Sequence, residues 1–214
     1  MSPPDLHSLL GHVRQLTEQY KAGGHPKSFN AFKDLVQLLL SHTILSSDSA
    51  VRLTYGPKGD EPIRAVLGGW AGPDDPLLLN DGRHLRLTMV LYLENTAQGP
   101  RVKVRDSSFQ YQTDTEGTCW IFRYDYLRES PDVHPSMHLH VRGILTEQCL
   151  PSDTTLERLH FPTNRISIEA VIRLLIEQFH IQANQPVEIW RPLLTESETA
   201  FLQIAHRSTS GPAS

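Results

Sequence analysis

The sequence lacks the features that mark several large classes of protein. It has only two cysteines, Cys119 and Cys149, with no zinc-motif spacing, which excludes a disulfide scaffold and favours a reducing compartment. No GxGxxG or GxxxxGK[ST] motif occurs, so nucleotide sites of those types are unsupported. No apolar run approaches the ~20 residues that span a membrane, and the N-terminus lacks a signal-peptide pattern. We therefore expect a cytoplasmic protein without a membrane partner.

Charge of one sign is also not concentrated anywhere along the chain. The formal net charge is -4 and no block of like charge appears, so neither a basic nucleic-acid-binding tail nor a long disordered acidic tail is indicated. The 214 residues, 39% of them hydrophobic, are enough for one substantial core. We predict a single α+β domain over residues 1–207, followed by a disordered tail at 208–214.

The predicted domain opens with a helical segment over residues 1–45. Apolar residues at helical spacing indicate one helix that begins near Pro3 and a second that Ser28 caps. The apolar segments VRLTY and IRAVLGGW then flank a turn-rich stretch, which predicts a hairpin at the edge of a sheet. Gly68 and Gly69, within the second segment, indicate a bulge or a bend.

Strict alternation of apolar and polar residues predicts an antiparallel sheet over residues 50–147. Its main part is a four-stranded meander over roughly residues 84–147. C-terminal helices are expected over 165–207, and the first, capped by Ser167, carries an apolar stripe that should cover one face of the sheet. QPVEIW at 185–190 predicts a short strand, and TESE at 195–198 has the spacing of a capping box. The predicted fold class is therefore α+β, an antiparallel meander packed on one face by helices.

The stretch WIFRYDYLRESPDVHPSMHLHVRG, residues 120–143, holds the most varied chemistry in the chain. It reads as two alternating strands around a polar loop. Burial selects the pairing register, because a slip of one residue would place Trp120 and Phe122 on the face of the histidines. We expect these two aromatic residues to lie opposite one face that gathers the ionisable groups Arg123, Asp125, His138, His140 and Arg142.

One chemistry that this face could support is metal-independent acid–base catalysis on an anionic substrate. Two imidazoles can serve as base and acid near neutral pH, and an arginine can neutralise charge on a phosphoryl group. His138 and His140 would be the catalytic pair and Asp125 would orient a ring. Neighbouring strands would extend a positive surface, so that the predicted substrate-binding residues are Arg123, Arg142, Arg105, Lys103 and Arg86.

Two other interpretations of the same residues stay open. An H-x-H pair on a strand can place two nitrogens on one ion, with Asp125 or His134 as a third ligand. The cofactor is accordingly either absent or a divalent metal ion. Alternating polar residues are also typical of any solvated sheet face, which needs no function.

The run IFRYD at 121–125, HPSMHLH at 134–140 and an SIEAVIRLL helix from 167 together resemble the TumE-type toxins of bacterial toxin–antitoxin modules. The resemblance covers about residues 85–180. It implies a toxin-like bacterial protein with an antitoxin-like partner, and the matching residues are Arg123, Asp125, His134, His138 and His140. The chain differs by a longer N-terminal helical region and by the absence of an adjacent His-His pair.

The leading hypothesis from the sequence is an enzyme that cleaves RNA or another phosphate ester, a ribonuclease-like hydrolase or phosphodiesterase. The alternative is a non-catalytic interaction module. It would bind a partner chain through the sheet edge or through the apolar face of residues 28–40.

Overall fold

The computed structural model describes residues 5–22, 24, 26–57, 64–96, 99–128, 136–142 and 161–207. The predicted tail at 208–214 and the end of the predicted meander at 143–147 lie outside these residues. The element order confirms an α+β fold with an N-terminal two-helix segment: α1 (Leu6–Ala22), α2 (Lys27–Ser41), β1 (Val51–Tyr55), β2 (Arg64–Gly69), β3 (Leu77–Leu78), β4 (His84–Thr96), β5 (Gly99–Gln112), β6 (Trp120–Leu127), β7 (Met137–Val141), β8 (Phe161–Pro162), α3 (Ile168–Glu177) and α4 (Val187–Arg207).

The strands of the described residues form one antiparallel sheet. Its order is β1-β2-β4-β5-β6-β7-β8, and the short β3 pairs separately with β4. The successive neighbours β4, β5, β6 and β7 confirm the predicted meander, and β1 with β2 confirms the predicted edge hairpin. β3 and β8, which were not predicted, have two residues each and are too short to show a periodicity.

The helices pack on the apolar face of this sheet. The Ser167 hydroxyl accepts a hydrogen bond from the Ala170 amide at 3.1 Å and caps α3 as predicted. Beyond the end of α3, the ring of Phe179 lies 5.0 Å from the ring centre of Tyr111 and 5.5 Å from that of Phe122. The opposite face of the meander is therefore the one left for polar side chains. No helix among the described residues is long and apolar enough to cross a bilayer.

The predicted cap of α2 is wrong. The helix begins at Lys27 with Pro26 in the cap position, and the Ser28 side chain is fully buried in the first turn. The apolar residues that follow are also buried in the core: Phe29, Phe32, Leu35, Val36, Leu39 and Leu40. In this fold the apolar face of residues 28–40 is therefore covered by the chain itself.

The predictions of a strand at 185–190 and a capping box at 195–198 are also wrong, because residues 187–190 and 195–198 belong to α4. The Pro186 carbonyl accepts hydrogen bonds from the amides of Ile189 and Trp190 and so starts the helix. Within it, the Thr195 hydroxyl donates to the Arg191 carbonyl, one helical turn back, instead of capping a new helix. Trp190, Leu193 and Leu194 are buried at helical spacing, and this packing outweighs the weak local signals.

The glycine pair in β2 serves a different purpose from the predicted bulge or bend. Gly68 and Gly69 pair with Arg52 and Val51 without a register shift. A Cβ atom at Gly69 would lie 2.1 Å from the Asp75 carbonyl oxygen, and one at Gly68 would lie 2.5 Å from Pro73 Cα. The glycines are needed because the backbone of the following loop packs directly against the strand.

A carboxyl group is buried where α3 meets α4. Glu169 is 4% exposed, and its Oε1 accepts a hydrogen bond from the Ser197 hydroxyl at 2.5 Å. Its Oε2 finds no hydrogen-bond partner among the described residues. Burial raises the pKa of Glu169, and the nearby Glu198 carboxylate raises it further. The folded chain therefore favours the protonated form of Glu169 more than the unfolded chain does.

Replacing Glu169 with glutamine should stabilise the folded chain at pH 8 more than at pH 5. A carboxyl whose folded pKa is raised contributes stability below its unfolded pKa and loses it as pH rises through the folded value. The decline starts near the ordinary pKa of 4.5, and an uncharged glutamine side chain would remove it. Urea unfolding of the variant and the wild type at both pH values measures this, and the free energy of unfolding of the variant relative to the wild type should rise from pH 5 to pH 8. An equal effect at both pH values would contradict a raised pKa.

Candidate functional site

The pairing of β6 with β7 decides which side chains meet on the polar face. Asp125 lies directly opposite His138, and Arg123 lies directly opposite His140. Because directly paired residues point to the same face of a sheet, all four side chains share one side. Phe122 pairs with Val141 on the other side. The predicted convergence of Arg, Asp and two His across this hairpin is therefore present in the fold.

Asp125 is the centre of this group. Its Oδ2 lies 3.7 Å from Nε2 of His138 and 3.5 Å from Nε2 of His140. The same oxygen accepts a hydrogen bond from Nε of Arg123 at 2.8 Å, and Oδ1 accepts one from the Ser108 hydroxyl at 2.7 Å. The two imidazole rings are 4.8 Å apart in an edge-to-face arrangement. We call Asp125, His138 and His140 the sheet-face cluster.

The two histidines of the sheet-face cluster are buried and Asp125 is partly buried, whereas the sequence predicts an uncovered, solvent-facing surface. His138 is 4% exposed and His140 is 5% exposed, while the apolar residues between and beside them in β7 are only half-buried. The burial of imidazoles next to a carboxylate and a guanidinium is not what a solvated sheet face requires. Buried histidines beside half-buried apolar residues are the opposite of the pattern on a solvated sheet face. This burial favours a functional site over a surface of incidental polar residues.

An open cleft of about 340 Å³ leads to the cluster from the polar face. Asp125, His138 and Arg123 line one part of it, and the Arg123 side chain is 37% exposed. The remaining wall comes mainly from β4 and β5, through Thr88, Val90, Asp106, Ser107 and Ser108. A cleft of this volume is in the range that holds a small ligand or one residue of a polymer.

The structure places the other predicted basic residues away from the cluster. Arg86 and Arg142 donate to backbone carbonyls of the β5–β6 turn, at residues 115, 116 and 118. Lys103 is 3.5 Å from Glu94, and it lies five positions along β5 from Ser108, about 16 Å away. Arg105 forms an ion pair with Asp106 at 2.7 Å near the edge of the cleft. Among the contacts of the described residues, Arg123 is the predicted basic residue that pairs with the cluster, while Lys103 and Arg105 pair with other acidic residues.

Trp120 does not lie where the sequence predicts it. A register shift between Tyr111 and Gln112 leaves Gln112 opposite Trp120, and the Arg123 guanidinium lies 5.9 Å from the centre of the Trp120 ring. The irregularity turns this residue to the face of Arg123, because an extra residue reverses the alternation of side chains. The prediction that Trp120 lies opposite the histidines is therefore wrong, while that for Phe122 is confirmed. His134 lies outside the described residues.

Ser108 belongs to the site but was not predicted from the sequence. It pairs with Asp125 across β5 and β6 and fixes the second carboxylate oxygen. The turn between β5 and β6 is the signal that locates Ser108. In a hairpin whose turn is centred between Glu116 and Gly117, Ser108 lies directly opposite Asp125.

No family model, curated protein or solved structure matches the chain. The resemblance to TumE-type toxins therefore stays a prediction from the motifs.

Proposed function

We propose that the chain is an enzyme that cleaves phosphate esters, with RNA as its substrate, and that the sheet-face cluster is its reactive centre. The observation that carries this proposal is the convergence of Arg123 and the buried cluster at the end of an open cleft. An arginine beside two histidines and a carboxylate is suited to an anionic substrate whose reaction requires proton transfer.

The reaction that these residues fit begins with the 2'-hydroxyl of the RNA itself. A base at the cluster removes its proton, the oxygen attacks the adjacent phosphorus, and the bond from phosphorus to the 5'-oxygen breaks. The leaving 5'-oxygen takes up a proton from the base that accepted the first one, directly or through water, and the products are a 2',3'-cyclic phosphate and a 5'-hydroxyl. The base would be His138, which lines the cleft; if the cluster held a metal ion, that ion would supply a bound hydroxide as the base instead.

Arg123 is suited to bind the phosphoryl group. Its Nε donates to Asp125, which leaves the other guanidinium nitrogens of a half-exposed side chain directed away from that bond. Guanidinium groups form strong charge-assisted hydrogen bonds with phosphate oxygens. Binding at this position would place the reacting phosphorus next to His138.

The toxin-like part of the proposal depends on the motif resemblance. A toxin of this kind would act on RNA in the bacterial cytoplasm and would have an antitoxin-like protein as its partner. The exposed thiol of Cys119 is compatible with a reducing compartment. A gene for a small antitoxin-like or DNA-binding protein beside this one would favour the same interpretation.

The sheet edge supports a second candidate, a non-catalytic interaction module. β1 is the terminal strand of the sheet order, and Tyr55 and Trp70 near it are 40% and 66% exposed. Extended peptides bind to such edges by adding a strand. A chain that binds a partner through β1 should leave RNA intact, which separates this candidate from the first.

The purified chain should cleave single-stranded RNA and produce 2',3'-cyclic phosphate ends. Replacing both His138 and His140 with alanine should lower the cleavage rate by about 10²-fold or more, because both proton-transfer or ligand nitrogens are lost. His12→Gln, at an exposed position of α1, is the matched control and should cleave like the wild type. A double variant with wild-type circular dichroism and wild-type cleavage would overturn the proposal.

A further inference from the structure

The sheet-face cluster has the composition and spacing of a metal site. One ligand atom from each of Asp125, His138 and His140 can be chosen so that all three lie within 4.8 Å of one another. The two histidines come from one strand, and the carboxylate comes from directly across the neighbouring strand. We propose that the cluster binds a divalent transition-metal ion through Oδ2 of Asp125 and Nε2 of both histidines.

The distances favour one shared ion. An ion with bonds of about 2.0 Å to imidazole nitrogen and carboxylate oxygen holds tetrahedral ligand atoms roughly 3.3 Å apart. The two separations between Asp125 Oδ2 and the histidine nitrogens are 3.5 and 3.7 Å. All three atoms lie within 4.8 Å of one another, so rotation of the imidazole rings is needed to bring them to the spacing of one ion.

The donor set also selects the class of metal. Two imidazoles and one carboxylate suit Zn²⁺, Mn²⁺ or Fe²⁺, whereas Ca²⁺ and Mg²⁺ prefer sites made only of oxygen. The three ligands among the described residues leave at least one coordination position for water, as in catalytic zinc sites and unlike closed structural ones. Because Asp125 and His138 line the cleft, a substrate could reach that position.

The groups behind the carboxylate fit this assignment. Ser108 holds Oδ1 at 2.7 Å and Arg123 holds Oδ2 at 2.8 Å, so the ligand oxygen is oriented before an ion arrives. Hydrogen bonds of this kind are the usual support of metal-ligating carboxylates. With the ion bound, two positive charges from the metal and one from Arg123 outweigh the single carboxylate. Such a centre would attract a phosphate group.

The catalytic role of this metal ion rests on the proposed function. The ion would supply the base, since metal coordination lowers the pKa of bound water toward neutrality. In that arrangement the histidines are ligands and do not themselves exchange protons with the substrate.

The test measures metal binding separately from catalysis. The tag-free chain, stripped with a chelator, is titrated with Zn²⁺ alone and with Mn²⁺ alone, and the retained ion is quantified after gel filtration. We expect about one ion per chain for at least one of these metals. Asp125→Asn and His140→Gln, both close in volume to the wild type, should each weaken binding by about 100-fold or more.

The control for binding by unrelated histidines is His12→Gln, which should bind like the wild type. Retention of tight binding in both ligand variants, or its loss in His12→Gln, would overturn the inference, as would the absence of any bound ion. A chain that cleaves RNA equally well with and without chelator, and holds no ion, overturns the metal site but leaves the proposed function intact. Binding of one ion by a chain that never cleaves RNA overturns only the function.

Discussion

Replacing Asp125 with asparagine is expected to lower RNA cleavage by about 10³-fold or more while leaving the fold in place. Asp125 contacts both histidines, Arg123 and Ser108, so no other described side chain joins as many members of the site. Asparagine has nearly the same shape and can still accept a hydrogen bond from the Ser108 hydroxyl. It lacks the charge that orients the imidazoles or binds an ion. The measurement is the rate of cleavage of a short RNA at saturating enzyme.

Asp106→Asn is the matched control for this experiment. Asp106 lines the same cleft, but its carboxylate pairs with Arg105 and is not part of the sheet-face cluster. Its replacement should change the cleavage rate by less than about tenfold, because a partly solvent-exposed ion pair contributes little free energy. Similar rates for Asp125→Asn and the wild type would place the reactive centre elsewhere. Equal losses in both variants would show that any carboxylate of the cleft matters in the same way.

Replacing Gly69 with alanine is expected to cost about 3 kcal/mol or more of folding stability. The added Cβ would lie 2.1 Å from the Asp75 carbonyl oxygen and 2.8 Å from its carbonyl carbon. These are backbone atoms, so no side-chain rotation can relieve the contact, and the loop after β2 must move away from the sheet. The loop also accepts a hydrogen bond from Thr88 through the Pro73 carbonyl, and Thr88 lines the cleft.

Urea unfolding followed by circular dichroism measures this loss of stability. Gly11→Ala is the matched control because a Cβ at Gly11, in the exposed face of α1, would meet nothing within 4 Å. Alanine there should stabilise the chain by about 1 kcal/mol through its helix propensity. A loss below about 1 kcal/mol for Gly69→Ala would contradict the close approach of the loop.

The part of the site that could be predicted from sequence is the part that alternation and burial control. The aromatic residues at positions 122–126 of β6 need a buried face, so Arg123 and Asp125 between them must lie on the other side. The pairing of β6 with β7 then places His138 and His140 beside these two residues. The same reasoning predicts the cap at Ser167, since a hydroxyl immediately before a strong apolar stripe has a clear local role.

The parts that were not predicted depend on contacts between distant segments. The register shift that turns Trp120 to the polar face arises where β5 and β6 meet, and alternation within one strand cannot reveal it. The approach of Asp75 to Gly69 is a loop-to-strand contact with no local pattern beyond the glycines themselves.

The start of α4 shows the same limit on a helix. Residues 187–190 are too few to show a helical period, and the burial of Trp190 and Leu193 within the core decides their conformation. The burial of the two histidines likewise depends on how the chain packs around β7, and not on the H-x-H spacing.

The most direct test of the proposed active site is a crystal structure of the chain with a dinucleotide that cannot react, because hydrogen replaces the 2'-hydroxyl. We predict that its phosphate lies in the cleft, in contact with the Arg123 guanidinium and next to His138 and Asp125. A dinucleotide bound only elsewhere, for instance in the groove between α1 and α4 near Arg14 and Arg191, with the cleft empty, would contradict the account.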